Sequence, residues 1–164
     1  MLNDPKAREL VLGRLREICL GLPETSERLS HGAPTFFVRG KRAFLMVLTN
    51  HHGDGRFAIW CAAPAGMQQL LVDADPDKFF VPPYVGHRGW LGVGLDRGLD
   101  WDELAGIAED AYAEVAPPKL VEAARLAGPE SEEGLAEHRS SPGRDGRSET
   151  RTQGASIARG YWRD

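Results

Sequence analysis

The chain is expected to fold as a two-layer α+β domain, with an antiparallel sheet and flanking helices. Two observations carry that expectation. Between Glu24 and Ala62, strand-like segments follow one another through short glycine-containing turns, which pair neighbours antiparallel. Stretches with helical spacing of apolar residues lie mostly outside that run, and helices set apart in this way pack on the sheet as a layer. The 164 residues suit one domain. After Gly128, large apolar residues almost cease until Ile157, Tyr161 and Trp162. The domain is therefore placed at residues 1–127. Residues 128–164 are expected to form a disordered tail, whose Ser, Gly, Glu and Arg residues bury too little apolar surface to offset ordering entropy.

Asp4-Pro5 opens the first helix, with Asp as N-cap and Pro at the first helical position. Val11, Leu12, Leu15, Ile18, Cys19 and Leu22 form its apolar face, and Gly21 and Pro23 end it. Glu24 to Ser30 suits a short edge strand. Thr35 to Arg39 is aromatic and β-branched, Gly40-Lys41 suits a tight turn, and Ala43 to Thr49 is apolar enough for a central strand covered on both faces. Phe36, Val38, Leu45 and Val47 are the expected heart of this hairpin. After the turn at His51–Gly55, the strand Arg56–Ala62 sets Phe57, Ile59 and Cys61 against Ala58 and Trp60 on its two faces.

A short helix is expected from Pro64, then a strand at Phe79–Val81 limited by Pro82-Pro83. In the next strand, Gly89–Leu95, Gly92 and Gly94 leave a gap on one face. A helix, a ligand or a neighbouring aromatic would fill it, and the aromatic is the commoner outcome. Asp100-Trp101-Asp102-Glu103 reads as a capping box before a helix with Leu104, Ile107, Ala108, Ala111, Tyr112 and Val115 on one stripe. Pro117-Pro118 stops it, and Lys119–Ala127 is a short last helix.

The net charge of −4 argues against a strongly electropositive nucleic-acid binder, though not against a basic face on an acidic protein. No apolar run is long enough for a membrane span, and the first residues do not resemble a signal peptide. Cys19 and Cys61 read most simply as buried free thiols in a reducing cytoplasm, with a disulfide as the less favoured alternative. His31, His51, His52, His87 and Asp54 are metal-ligand types without metal-ligand spacing, so no metal or other cofactor is expected. Ser26 and Ser30 sit in no nucleophile motif, and turns and caps account for the acids at 73–77 and 96–102. No catalytic residue is assigned and the chain is not expected to be an enzyme. The basic residues are more suggestive. Arg39, Lys41 and Arg42 crowd the first turn, Arg56 begins the next strand, and His87-Arg88 occupies a later turn. Cations beside aromatics such as Phe37, Tyr84 and Trp90 suit contact with phosphates and bases, although solvated turns are often charged without a ligand.

Four spaced motifs then match a known pattern in order. They are L-P-E-T at Leu22–Thr25, H-G-x-P-x-F-x-V-x-G-K at His31–Lys41, P-x-Y-x-G-x-x-G-W-L-x-V-x-L-D ending at Asp96, and A-Y-x-x-V-A-P-P-K-L at Ala111–Leu120. Over about residues 5 to 125 the chain resembles the MmcQ/YjbR family. Only the turn His51–Gly55 departs, being longer and richer in His. The resemblance implies a secretion-chaperone-like arrangement, and DNA binding through a double wing, two loops or hairpins that embrace the duplex. Carried onto this chain, one wing is the Arg39–Arg42 turn and the other is either the His51–Arg56 or the His87–Arg88 turn. Arg39, Lys41, Arg42, Arg56, His87 and Arg88 are the implied DNA-binding residues, contacting phosphates of double-stranded DNA. The alternative is a protein- or peptide-interaction module using exposed aromatics among Phe79, Phe80, Tyr84 and Trp90. A small-molecule enzyme built on the Gly92–Gly94 face ranks last.

Overall fold

The computed structural model describes residues 3–127, so the expected tail at 128–164 lies outside the described residues. Helix α1 (Pro5–Leu20) starts where Asp4 accepts the Lys6 N–H and Pro5 takes the first turn. Strands β1 (Thr25–Ser30), β2 (Ala33–Val38), β3 (Arg42–Thr49) and β4 (Phe57–Cys61) follow. Helix α2 (Met67–Ala74), strands β5 (Phe79–Phe80) and β6 (Leu91–Gly94), and helices α3 (Trp101–Val115) and α4 (Pro118–Leu126) complete the order. The six strands form one antiparallel sheet in the order β1-β2-β3-β4-β6-β5. The expected α+β class is the observed one.

One face of the sheet packs on α1 and α3. Phe36, Leu45, Val47, Ile59, Cys61, Leu91 and Val93 lie there, with Leu15, Cys19, Ile107, Ala108 and Tyr112 in the same buried core. Helix α3 begins at Asp100, whose carboxylate accepts the N–H groups of Asp102 and Glu103. It is anchored further along by Tyr112, whose hydroxyl donates to the Pro23 carbonyl at 2.8 Å. Cys19 and Cys61 are both free and buried.

Several boundaries differ from the sequence expectation, for local reasons. The β2–β3 turn centres on Arg39 (φ 53°) and Gly40 (φ 66°), one residue earlier than Gly40-Lys41, and Lys41 N–H donates to the Val38 carbonyl. Two successive left-handed residues match the twist of the flanking strands, and a glycine meets that demand at the second position. Strand β3 carries a bulge. Leu45 faces Phe36 and Ala43 faces Phe37, leaving Phe44 as the extra residue. Phe44 and Leu45 therefore both serve the helix side, where simple alternation separates them. Helix α2 starts at Met67 rather than Pro64. The strand expected at Gly89–Leu95 shortens to Leu91–Gly94 because Gly86–Arg88 coils into a 3-10 turn that ends at left-handed Gly89.

Burial raises both thiol pKa values, chiefly by removing them from water. An acid raised in the fold keeps its proton while the unfolded chain loses it, so stability is complete below the unfolded pKa and falls as pH rises beyond it. Unfolding free energy is expected to drop above about pH 8.5, by about 1.4 kcal/mol per thiol at about pH 9.5. Urea unfolding across that range checks this, with Cys61→Ala flattening the profile; an unchanged profile in the variant would refute it.

Candidate functional site

Glu27 is bonded to Arg16 of α1 at 2.8 Å, so β1 turns Glu27 toward the helices and its neighbours Ser26 and Arg28 to the distal face. The same alternation places Thr35 and Phe37 of β2, Met46 of β3, Trp60 of β4, Gly92 of β6 and Phe80 of β5 on the distal face. The pairings Thr35–Met46, Met46–Trp60, Trp60–Gly92 and Gly92–Phe80 make one continuous row across five strands. The expected gap over Gly92 holds an aromatic ring. A Cβ there would stand 2.4 Å from a ring carbon of Phe80. That ring blocks a small-molecule site at this position.

Cations cap this aromatic surface. The Arg28 guanidinium lies 3.6 Å from the centre of the Phe37 ring, and that of Arg56 lies 4.0 Å from Phe80. Arg88 lies 5.4 Å from Trp90, one step before β6. A guanidinium stacked by its face keeps its N–H edge directed outward, preorganised for phosphate or carboxylate. Arg16, Arg39, Lys78 and Arg97 are held by carboxylates. Among the described residues, Arg28, Arg56 and Arg88 form no ion pair; Arg28 donates to the Gly40 carbonyl. Helix α3 carries Asp102, Glu103, Glu109, Asp110 and Glu114 with no Lys or Arg, while Asp54 stands two residues before Arg56, and Asp73, Asp75 and Asp77 lie at the end of α2 and before β5.

The six sequence-derived residues separate accordingly. Arg39 is bound to Glu24 at 2.8 Å, which raises the pKa of its guanidinium through that hydrogen bond. Arg42 reaches toward the helix side and donates to the Val115 carbonyl at 3.4 Å. Lys41, Arg56, His87 and Arg88 are exposed. Of the two choices for a second wing, the His51–Arg56 loop lies at the opposite end of β3 from the Arg39–Arg42 turn. The His87–Arg88 turn lies at the same end, because Leu45 and Leu91 both align with Cys61 and the two turns precede them by similar lengths. Two strand spacings, about 10 Å, separate β3 from β6.

Sequence reasoning missed Arg28. The only signal for Arg28 was an Arg on an edge strand, and its ring partner appears only with the β1–β2 register. Among the described residues, no group of three or more His, Cys, Asp or Glu is placed to hold a metal ion, and no helix is long and apolar enough to cross a membrane.

Comparison with known proteins is consistent with the motifs. The chain is similar to the crystal structure of Deinococcus radiodurans protein DR2400, described by the family-model domain DUF419. The identity is 19% and the TM-score 0.56, over 70% of this chain and 84% of that one, a likeness that concerns the fold. No curated protein matches. A YjbR family model matches residues 20–114, more than half of the sequence. On that match, together with the sheet and helices that frame it, the chain belongs to the YjbR family.

Proposed function

We propose that this chain is a non-catalytic module that binds double-stranded DNA through its phosphates. The observation that carries the reading is a set of three arginines held on aromatic rings: among the described residues, Arg28, Arg56 and Arg88 form no ion pair. An acidic total of −4 is thereby compatible with a basic face. The Arg28 guanidinium over Phe37 of β2 and the Arg56 guanidinium over the ring that covers Gly92 of β6 stand three strand spacings apart, about 14 Å, comparable to a major groove of about 12 Å, so phosphates on both sides of a groove are within reach. Lys41 and Arg88, on turns at one end of the sheet, fit the double-wing role. The buried free thiols suit a reducing compartment such as the cytoplasm.

Duplex titration at salt from about 50 to 200 mM tests the reading. Four phosphate contacts give a slope of log K against log salt between about −3 and −4. No binding at low salt, or binding indifferent to salt, overturns it.

A peptide partner is the second reading, favoured by the exposure of Val81 (52%) and Tyr84 (69%). It has less surface to draw on than the aromatic content suggests, because Phe79 and Trp90 are buried and Arg56 caps Phe80.

A further inference from the structure

Two loops distant in sequence meet over Trp60. The His51 ring stands edge-on to Trp60, with centroids 4.9 Å apart, and touches His52 at 4.1 Å and Tyr84 at 6.0 Å. His52 and Tyr84 are 6.3 Å apart. The Tyr84 side chain is exposed, and His51 Nε2 is buried without a hydrogen-bond partner among the described residues. Such an orphaned polar atom calls for an explanation. The backbone here is also costly: Asn50, His52 and Tyr84 all hold left-handed φ values without being glycine.

We infer that this cluster is a stacking site for one unpaired nucleic-acid base, with Arg56 receiving an adjacent phosphate. The inference rests on the nucleic-acid reading above and names the part of the ligand that the aromatic loops take. Trp60 pairs with Gly92, and the Phe80 ring stands over Gly92, so the Arg56 guanidinium on that ring lies about one strand spacing, about 5 Å, to the side of the Trp60 position. A base stacked on Tyr84 or His52 keeps its flanking phosphates within reach of that guanidinium. Paired bases inside a duplex have no open face to offer, so the occupant is a single strand, a frayed end or a flipped nucleotide. Every base has a π-face, so the site is tolerant of sequence.

Fluorescence anisotropy with the full chain tests this, using a short oligothymidylate, an abasic strand of equal length and charge, and a hairpin-closed duplex. The thymidylate is expected to bind about 5- to 100-fold more tightly than the abasic strand. Tyr84→Ala is expected to erase that difference without weakening duplex or abasic binding, and Tyr84→Phe to retain it. Equal binding of thymidylate and abasic strands, or a Tyr84→Ala chain that still prefers thymidylate, overturns the stacking site. If salt-dependent duplex binding survives such a result, the phosphate-binding reading stands without the base site. Failure of all three ligands to bind overturns both.

Discussion

Phe44→Ala is expected to lower the unfolding free energy by about 3–5 kcal/mol. Phe44 has no exposed surface and stands edge-on to Tyr112 of α3, with ring centroids 5.7 Å apart; Phe36 lies at 6.5 Å. The bulge gives this position its weight. As the unpaired extra residue of β3, Phe44 turns its ring to the helices while its carbonyl still accepts the Ala62 N–H at 3.0 Å. Truncation leaves a cavity between a rigid sheet and a helix anchored by the Tyr112–Pro23 hydrogen bond, so the walls cannot collapse to fill it. Against a total stability of about 5–15 kcal/mol the change is large. Urea unfolding should show a much lower midpoint with an unchanged slope. A loss under about 1.5 kcal/mol would mean that the ring is not the link between the sheet and α3.

The sheet's core was legible because local pattern and tertiary use agree. Phe57, Ile59 and Cys61 alternate with Ala58 and Trp60 as expected, and all are buried. Asp4 and Asp100 cap the helices predicted from their positions. Phe44 shows where pattern fails: a bulge changes side-chain parity without an unusual residue to announce it. Arg39 was misplaced in its turn because an Arg at positive φ is costly on its own; here its N–H donates to the Glu24 carbonyl and its side chain to the Glu24 carboxylate.

The candidate interface was only half legible. Arg56 and Arg88 could be named as basic residues near aromatics. Their distinction from Arg39 and Arg42 depends on which side chain finds a carboxylate or a carbonyl, and that is a tertiary fact. The His51–Tyr84 contact joins two loops more than thirty residues apart, with no periodicity connecting them. Net charge is silent on the arrangement, since a sum over the chain does not say where its charges sit.

Replacing Arg56 and Arg88 together by Glu is expected to weaken duplex binding at least about 60-fold at about 0.1 M salt. Each phosphate contact contributes about 0.9 of a decade at that salt relative to 1 M, so two lost contacts remove nearly two decades, and the salt slope becomes shallower by nearly 2. The introduced carboxylates add repulsion. Both side chains are exposed and neither is ion-paired among the described residues, so the fold loses only two exposed cation–π contacts, about 0.5–1 kcal/mol each. Net charge alone must be controlled for. Lys6→Glu with Lys119→Glu makes the same change of charge on α1 and α4. That pair should weaken binding by less than about 3-fold, since screening over about 10 Å isolates charges outside the interface. Equal weakening by both pairs would mean that the duplex senses only the overall charge, and the distal face would lose its claim to be the binding surface.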